Sequence, residues 1–152
     1  MSLPSADVVL VIDIDGTLCD LDYGGRLDRW RKRIEQDPPP PLQAAVSALS
    51  PPPPVRLAIT TPRHESLRRA TRTWLDLHFP ALVTAPLYMR AEDDSTDVEI
   101  RAAHVCALRG GARVVLVDND LDMQLALQPG DRLVHAPRDW KWVWRMVDEA
   151  RR

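Results

Sequence analysis

The sequence predicts an α/β fold of three layers, a central, mostly parallel sheet of about five strands with helices on both faces. Three observations predict it. Val8 to Ile12 and Val114 to Val117 are unbroken apolar runs, as in strands buried on both faces of a parallel sheet. Segments of helical period alternate with the strand candidates, which makes right-handed crossovers the expected connection. Both apolar runs end in an acid, Asp13 and Asp118, and the carboxyl ends of such strands are where open α/β sheets bind ligands.

The elements follow in order. Val8 to Asp13 is the first strand, and Leu18 to Gly25 reads as a loop. Arg26 to Gln36 is amphipathic, with Leu27, Trp30 and Ile34 on one helical face. Pro38 to Pro41 ends that helix, and Pro51 to Pro54 closes the short helical segment Leu42 to Leu49, so stiff spacers punctuate this part of the chain. Val55 to Thr60 is the second strand, and a long helix runs from about Glu65 to His78. Leu82 to Thr84 and Leu87 to Met89 are short strand candidates around Pro86. Asp97 to Leu108 is a helix stopped by Gly110-Gly111, Arg113 to Val117 a buried strand, Leu133 to His135 a last short strand, and Trp140 to Ala150 the closing helix.

With 152 residues the chain is expected to be one domain. A net charge of -2 and a pI near 6.1 demand no polyanionic partner, although a local basic patch remains compatible with them. No stretch is apolar enough to span a bilayer and no secretory leader pattern opens the chain, so the expectation is a cytoplasmic protein with no membrane partner. Cys19 and Cys106 suggest no disulfide framework, and Cys19 reads as a small, partly buried filler. Of the 20 basic residues only Lys32 and Lys141 are lysine.

The chemistry-bearing residues begin with Asp13-Ile14-Asp15-Gly16-Thr17. The side-chain period of two puts Asp13 and Asp15 on one side, and Gly16 lets the backbone turn sharply. Two converging carboxylates repel unless something offsets their charge. A hard divalent cation does so, and Mg2+ typically takes one or two carboxylates with waters and phosphate oxygens.

Asp13 to Thr17 resembles the first motif of the haloacid dehalogenase (HAD) superfamily of phosphatases. The resemblance implies a Rossmann-like HAD fold and a Mg2+-dependent phosphomonoester hydrolase. In it Asp13 is the nucleophile that forms an aspartyl-phosphate, and Asp15 is the acid and then base. Thr61-Pro62-Arg63 is similar to the second motif, with Pro62 where that motif has Gly. It implies that Thr61, with Thr60 as its neighbouring rival, binds the phosphoryl oxygen. Arg101 stands where the third motif has lysine, and a guanidinium can hold phosphate by two hydrogen bonds. Asp118-Asn119-Asp120 resembles the fourth motif and implies Mg2+ held by Asp13, the Asp15 carbonyl and Asp118. The further ligand stays open between Asp122, Asp120, a water on Asn119 and none at all.

No large insertion separates the motifs, so the resemblance is to a capless member. Leu87 to Arg90, with Asp93, Asp94 and Asp97 to Glu99, resembles the 3'-phosphatase domain of polynucleotide kinase-phosphatases. This implies nucleic-acid 3' ends as substrate, with Thr17, Arg63 and Arg90 as substrate contacts. A small-molecule nucleotide or sugar phosphatase is the other enzyme reading, and a HAD-like binding or regulatory module with little turnover is the reading from another class. His64 could touch substrate, while His78, His104 and His135 read as structural. The tail Trp140 to Arg145 interleaves aromatics with cations, a composition able to stack bases. Trp140, Val143, Trp144 and Val147 also form a helical stripe suited to a core.

Overall fold

A computed structural model describes residues 7–21, 27–50, 54–91 and 94–152, and of residues 27–30 the backbone alone. The expectations for Leu27 and Trp30 as packing residues, for the end of the first loop (22–26), for Pro51 to Pro53 and for Asp93 lie outside the described residues.

One five-stranded, all-parallel sheet organises the chain. Its strands are β1 (Val8–Asp13), β2 (Arg56–His64), β3 (Leu87–Arg90), β4 (Arg113–Asp118) and β5 (Arg132–His135), in the spatial order β3-β2-β1-β4-β5. The helices are α1 (Leu27–Gln36), α2 (Gln43–Ala48), α3 (Arg68–His78), α4 (Asp97–Arg109) and α5 (Val143–Ala150).

Alternation along the strands divides the core in two. Leu10, Ile12, Ile59, Val115 and Val117 pack with Ile34, Ala45, Trp74, Leu75, Val143 and Val147, so α1, α2, α3 and α5 share one face. Val9, Val11, Ala58, Val114 and Leu116 pack with Val105 of α4 and with Met123 on the other. The same alternation continues through the strand ends: Asp13 follows Val9 and Val11, and Asp118 follows Val114 and Leu116, so both acids belong to the α4 face. The register pairs Ile12 with Val117, which brings these acids side by side one residue further on.

Several elements differ from the sequence reading. β2 runs on through Thr61 to His64, because its pairing with β3 shifts between Thr60 and His64 and this irregular stretch accommodates Pro62, which has no N–H to give a ladder. Leu82 to Thr84 is no strand. Pro80 opens a 3-10 turn over Pro80–Leu82 instead, its fixed φ suiting a first helical position. The helices expected from Glu65 and from Trp140 each begin as a 3-10 turn, Glu65–Leu67 and Trp140–Trp142, and Leu121–Ala126 is a further 3-10 segment. Among the described residues no helix is long and apolar enough to cross a membrane. Between β1 and β2 the described residues form only α1 and α2.

Candidate active site

Past β1 the chain folds back on itself at once. The amides of Thr17 and Leu18 donate to the Ile14 carbonyl at 3.1 and 2.8 Å, and Gly16 N–H donates to the Cys19 carbonyl at 2.9 Å. Gly16 takes φ +80, and a Cβ there would stand 2.7 Å from Asn119 Cγ, so both backbone shape and close approach call for glycine. The turn brings Thr17 Oγ1 to donate to Asp13 Oδ2 at 3.1 Å. Trp140 Nε1 donates to the Thr17 carbonyl at 2.9 Å, which ties this loop to the start of the C-terminal helix.

Asp13 and Asp118 are both buried, and Arg101 of α4, itself buried, lies against them. Arg101 Nε is 3.1 Å from Asp118 Oδ2, although the N–H does not align with it as a hydrogen bond, and Nη2 reaches Asp120 Oδ2 at 3.4 Å. Burial, and then the charge of Asp118, push the Asp13 carboxyl well above its usual range, against the pull of Arg101 and the Thr17 hydroxyl. Burial likewise raises Asp118 to about 6, with Arg101 opposing. Burial of Arg101 would release its proton, but Asp13, Asp118 and Asp120 together hold it more firmly than usual.

Among the described residues three buried side-chain atoms make no hydrogen bond, namely Asp13 Oδ1, Asp118 Oδ2 and Arg101 Nε. Arg101 Nε and Asp118 Oδ2 still face each other as an ion pair, so Asp13 Oδ1 is the one of the three with neither kind of partner, an exception among buried polar groups.

Asp15 is engaged differently. Arg63, from the end of β2, grips it with two hydrogen bonds, Nε to Oδ2 at 2.9 Å and Nη2 to Oδ1 at 2.6 Å, and anchors its Nη1 on Thr71 at 3.1 Å. Cys19 Sγ lies 3.7 Å from Asp15 Oδ1, and burial, followed by the charge of Asp15, pushes its thiol up and favours the neutral form. Hydrogen bonding selects the Asn119 amide orientation in which the nitrogen donates to the Asp15 carbonyl at 3.2 Å and to Asp13 Oδ2 at 3.1 Å.

The structure thus gathers Asp13, Asp15, Thr17, Arg63, Arg101, Asp118 and Asn119. It gives some of them other neighbours than the substrate contacts expected. Thr17 is fully buried with its hydroxyl on Asp13, and Arg63 is paired with Asp15. Arg90 donates to the carbonyls of Pro62 and Ser95 at 3.1 and 2.5 Å and pairs with Asp97 at 2.7 Å, clamping the β2 irregularity to the start of α4. His64 accepts from Ser66 N–H at 3.1 Å and caps the turn that precedes α3.

Thr60 pairs in register with Asp13, and its hydroxyl meets His104 Nδ1 at 2.7 Å, while the buried Thr61 hydroxyl accepts from Arg63 N–H at 3.1 Å. Of the three residues left open after Asp118, Asn119 alone reaches Asp13. Asp120 contacts Arg101 and accepts from the Asp122 N–H at 2.9 Å, and Asp122 is exposed. Sequence reasoning missed the bond from Trp140 to Thr17, which no local pattern encodes.

The donor set suits a hard cation. Asp13 Oδ1 is a buried oxygen that accepts no hydrogen bond, the Asp118 charge lies close enough to act on it, and the Asn119 amide bridges Asp13 and the Asp15 carbonyl. No cluster of three or more His, Cys, Asp or Glu side chains gathers among the described residues, so a third protein oxygen would come from the backbone. No known family profile matches the chain, and no curated protein matches it in sequence.

Proposed function

We propose that this chain is a phosphomonoester hydrolase of the HAD type that works through an aspartyl-phosphate on Asp13. The supporting observation is the gathering of two buried carboxylates, Asp118 and an Asp13 with one oxygen that accepts no hydrogen bond, beside the buried Arg101 guanidinium at the carboxyl edge of a parallel sheet. Such a set can hold the negative oxygens of a phosphoryl group and present a nucleophile to its phosphorus.

Asp13, the Asp15 carbonyl and Asp118 would hold Mg2+, which would offset their charge and polarise a phosphoryl oxygen. An Asp13 oxygen forms a bond to phosphorus as the ester P–O bond breaks, and the leaving oxygen takes a proton from Asp15. Water then attacks the same phosphorus, gives its proton to Asp15, and the Asp13–phosphorus bond breaks. The guanidinium of Arg101 steadies the transferring group. The acid step needs a proton on an oxygen that Arg63 grips here, so Arg63 must turn aside for it. With only α1 and α2 between β1 and β2 among the described residues, the reading favours an open site and a bulky phosphomonoester.

The test is Asp13→Asn. Its expected result is loss of Mg2+-dependent p-nitrophenyl phosphate hydrolysis, by about 1,000-fold or more, in a protein that still folds. Unchanged turnover would refute the nucleophile. One second reading has a specific observation behind it: Arg101 beside Asp118, with the Asn119 amide across Asp13 and the Asp15 carbonyl, already offsets much of the acidic charge. On that reading the chain is a HAD-like binding module, and the intact protein shows no hydrolysis with or without Mg2+.

A further inference from the structure

The tail splits in a way its composition does not foretell. Trp140 is 1% exposed, and Trp144 donates its Nε1 to the Ala48 carbonyl at 2.8 Å, so both serve the core. Trp142 between them is 43% exposed. It is accompanied by charge: Lys141 Nζ lies 5.4 Å and Arg145 Cζ 5.7 Å from its ring centroid, within cation–π reach. Arg138, on the turn just before, has a side chain 76% exposed.

Position gives this surface its meaning. All five strands are parallel, so the segment leaving β5 at His135 emerges on the same edge as Asp13 and Asp118. From that segment Trp140 reaches back to the loop that carries Thr17.

We propose that Trp142, Lys141, Arg145 and Arg138 form a binding surface for single-stranded nucleic acid, with a base stacked on the Trp142 indole and phosphodiesters held by the cations. Charge complementarity selects this occupant. A partly exposed aromatic ring flanked by two cations, with a third on the turn before it, suits a ligand that combines flat apolar rings with repeated negative charge. A duplex hides its base faces, and a neutral sugar lacks both features. Lys141 and Arg145 are long and flexible, so they can leave the ring for the phosphates as a base takes their place. The pairs of Arg138 with Asp139 at 3.0 Å and of Arg145 with Glu149 at 3.4 Å are exposed, and pairs of that kind yield readily. The surface deepens the phosphatase reading, on which it rests only for the idea that a bound strand presents a phosphomonoester to Asp13.

The experiment is fluorescence anisotropy with a labelled single-stranded oligonucleotide that ends in a hydroxyl, so that phosphomonoester chemistry plays no part. The full chain is expected to bind it. Trp142→Ala should weaken binding roughly 5- to 150-fold, the range for one stacked base, and Trp142→Phe should retain most of it. Replacing Lys141 and Arg145 by Ala should flatten the slope of log affinity against log salt by about 1.4, for two single-strand phosphate contacts. Circular dichroism and the melting midpoint establish that each variant folds. Equal affinity in Trp142→Ala, equal affinity for the duplex, or no binding by the full chain would each overturn the surface. Parallel assay of p-nitrophenyl phosphate separates the two ideas. Hydrolysis without oligonucleotide binding removes the surface alone, and Trp142-dependent binding without hydrolysis removes the phosphatase alone.

Discussion

Asp118 lies under two opposing influences. Burial favours its neutral form and raises it to about 6, while Arg101 favours the charged form. The fold therefore binds a proton here more readily than the unfolded chain, whose carboxyl keeps its ordinary value of 3.8. The sign follows: this group's contribution to stability is full below about pH 4 and is lost as pH rises to about 6. Asp118→Asn should make the fall in urea midpoint between those pH values shallower than in the intact protein. Asp13, shifted in the same direction, leaves some slope behind. An unchanged slope in the variant would mean that Asp118 titrates as it does in the unfolded chain.

At the scale of elements, Asp131 fastens three pieces together. Its Oδ1 accepts from Val114 N–H of β4 at 2.8 Å, its Oδ2 accepts from Gln128 N–H at 2.7 Å, and Arg109 at the end of α4 pairs with it at 2.6 Å. Asp131→Ala takes the charge partner from a nearly buried guanidinium, which keeps the Ala126 carbonyl at 3.3 Å, and the side-chain acceptor from a strand amide. The expected loss is about 3–5 kcal/mol, read from urea unfolding, and a loss below about 1 kcal/mol would show that the cluster relaxes onto water. The residue carried no signal in the sequence, where Gly130-Asp131 reads as an ordinary turn. β1 and β4 were legible because Val8 to Ile12 and Val114 to Val117 are apolar throughout, and burial on two faces leaves little alternative. The continuation of β2 through Pro62 was not, because proline marks a strand's end unless a register shift makes room for it. Among the candidate site residues Asp13 and Asp118 end adjacent strands, as their apolar runs foretold, and Arg101 in the second turn of α4 reaches Asp118. The grip of Arg63 on Asp15 and the bond from Arg90 to the Pro62 carbonyl join separate segments, which motif spacing does not report.

At the scale of the whole molecule, the bond from Trp140 to Thr17 joins the segment before α5 to the loop after β1, the longest side-chain reach among the described residues. Trp140→Phe removes the indole N–H and leaves a buried carbonyl unpaired, which should cost about 1–3 kcal/mol in urea unfolding. Because Thr17 in turn holds Asp13, hydrolysis should fall as well, and full stability would show that the bond contributes nothing. The strand order has a separate consequence, for life in a crowded solution. Both outer strands, β3 and β5, are only four residues long, while the longer β1, β2 and β4 are paired on either side. Rows of unpaired amides and carbonyls are what recruit a second chain into an extended sheet, and here those rows are short. The arrangement that shelters the acids in the middle of the sheet also leaves little template for aggregation at its rims.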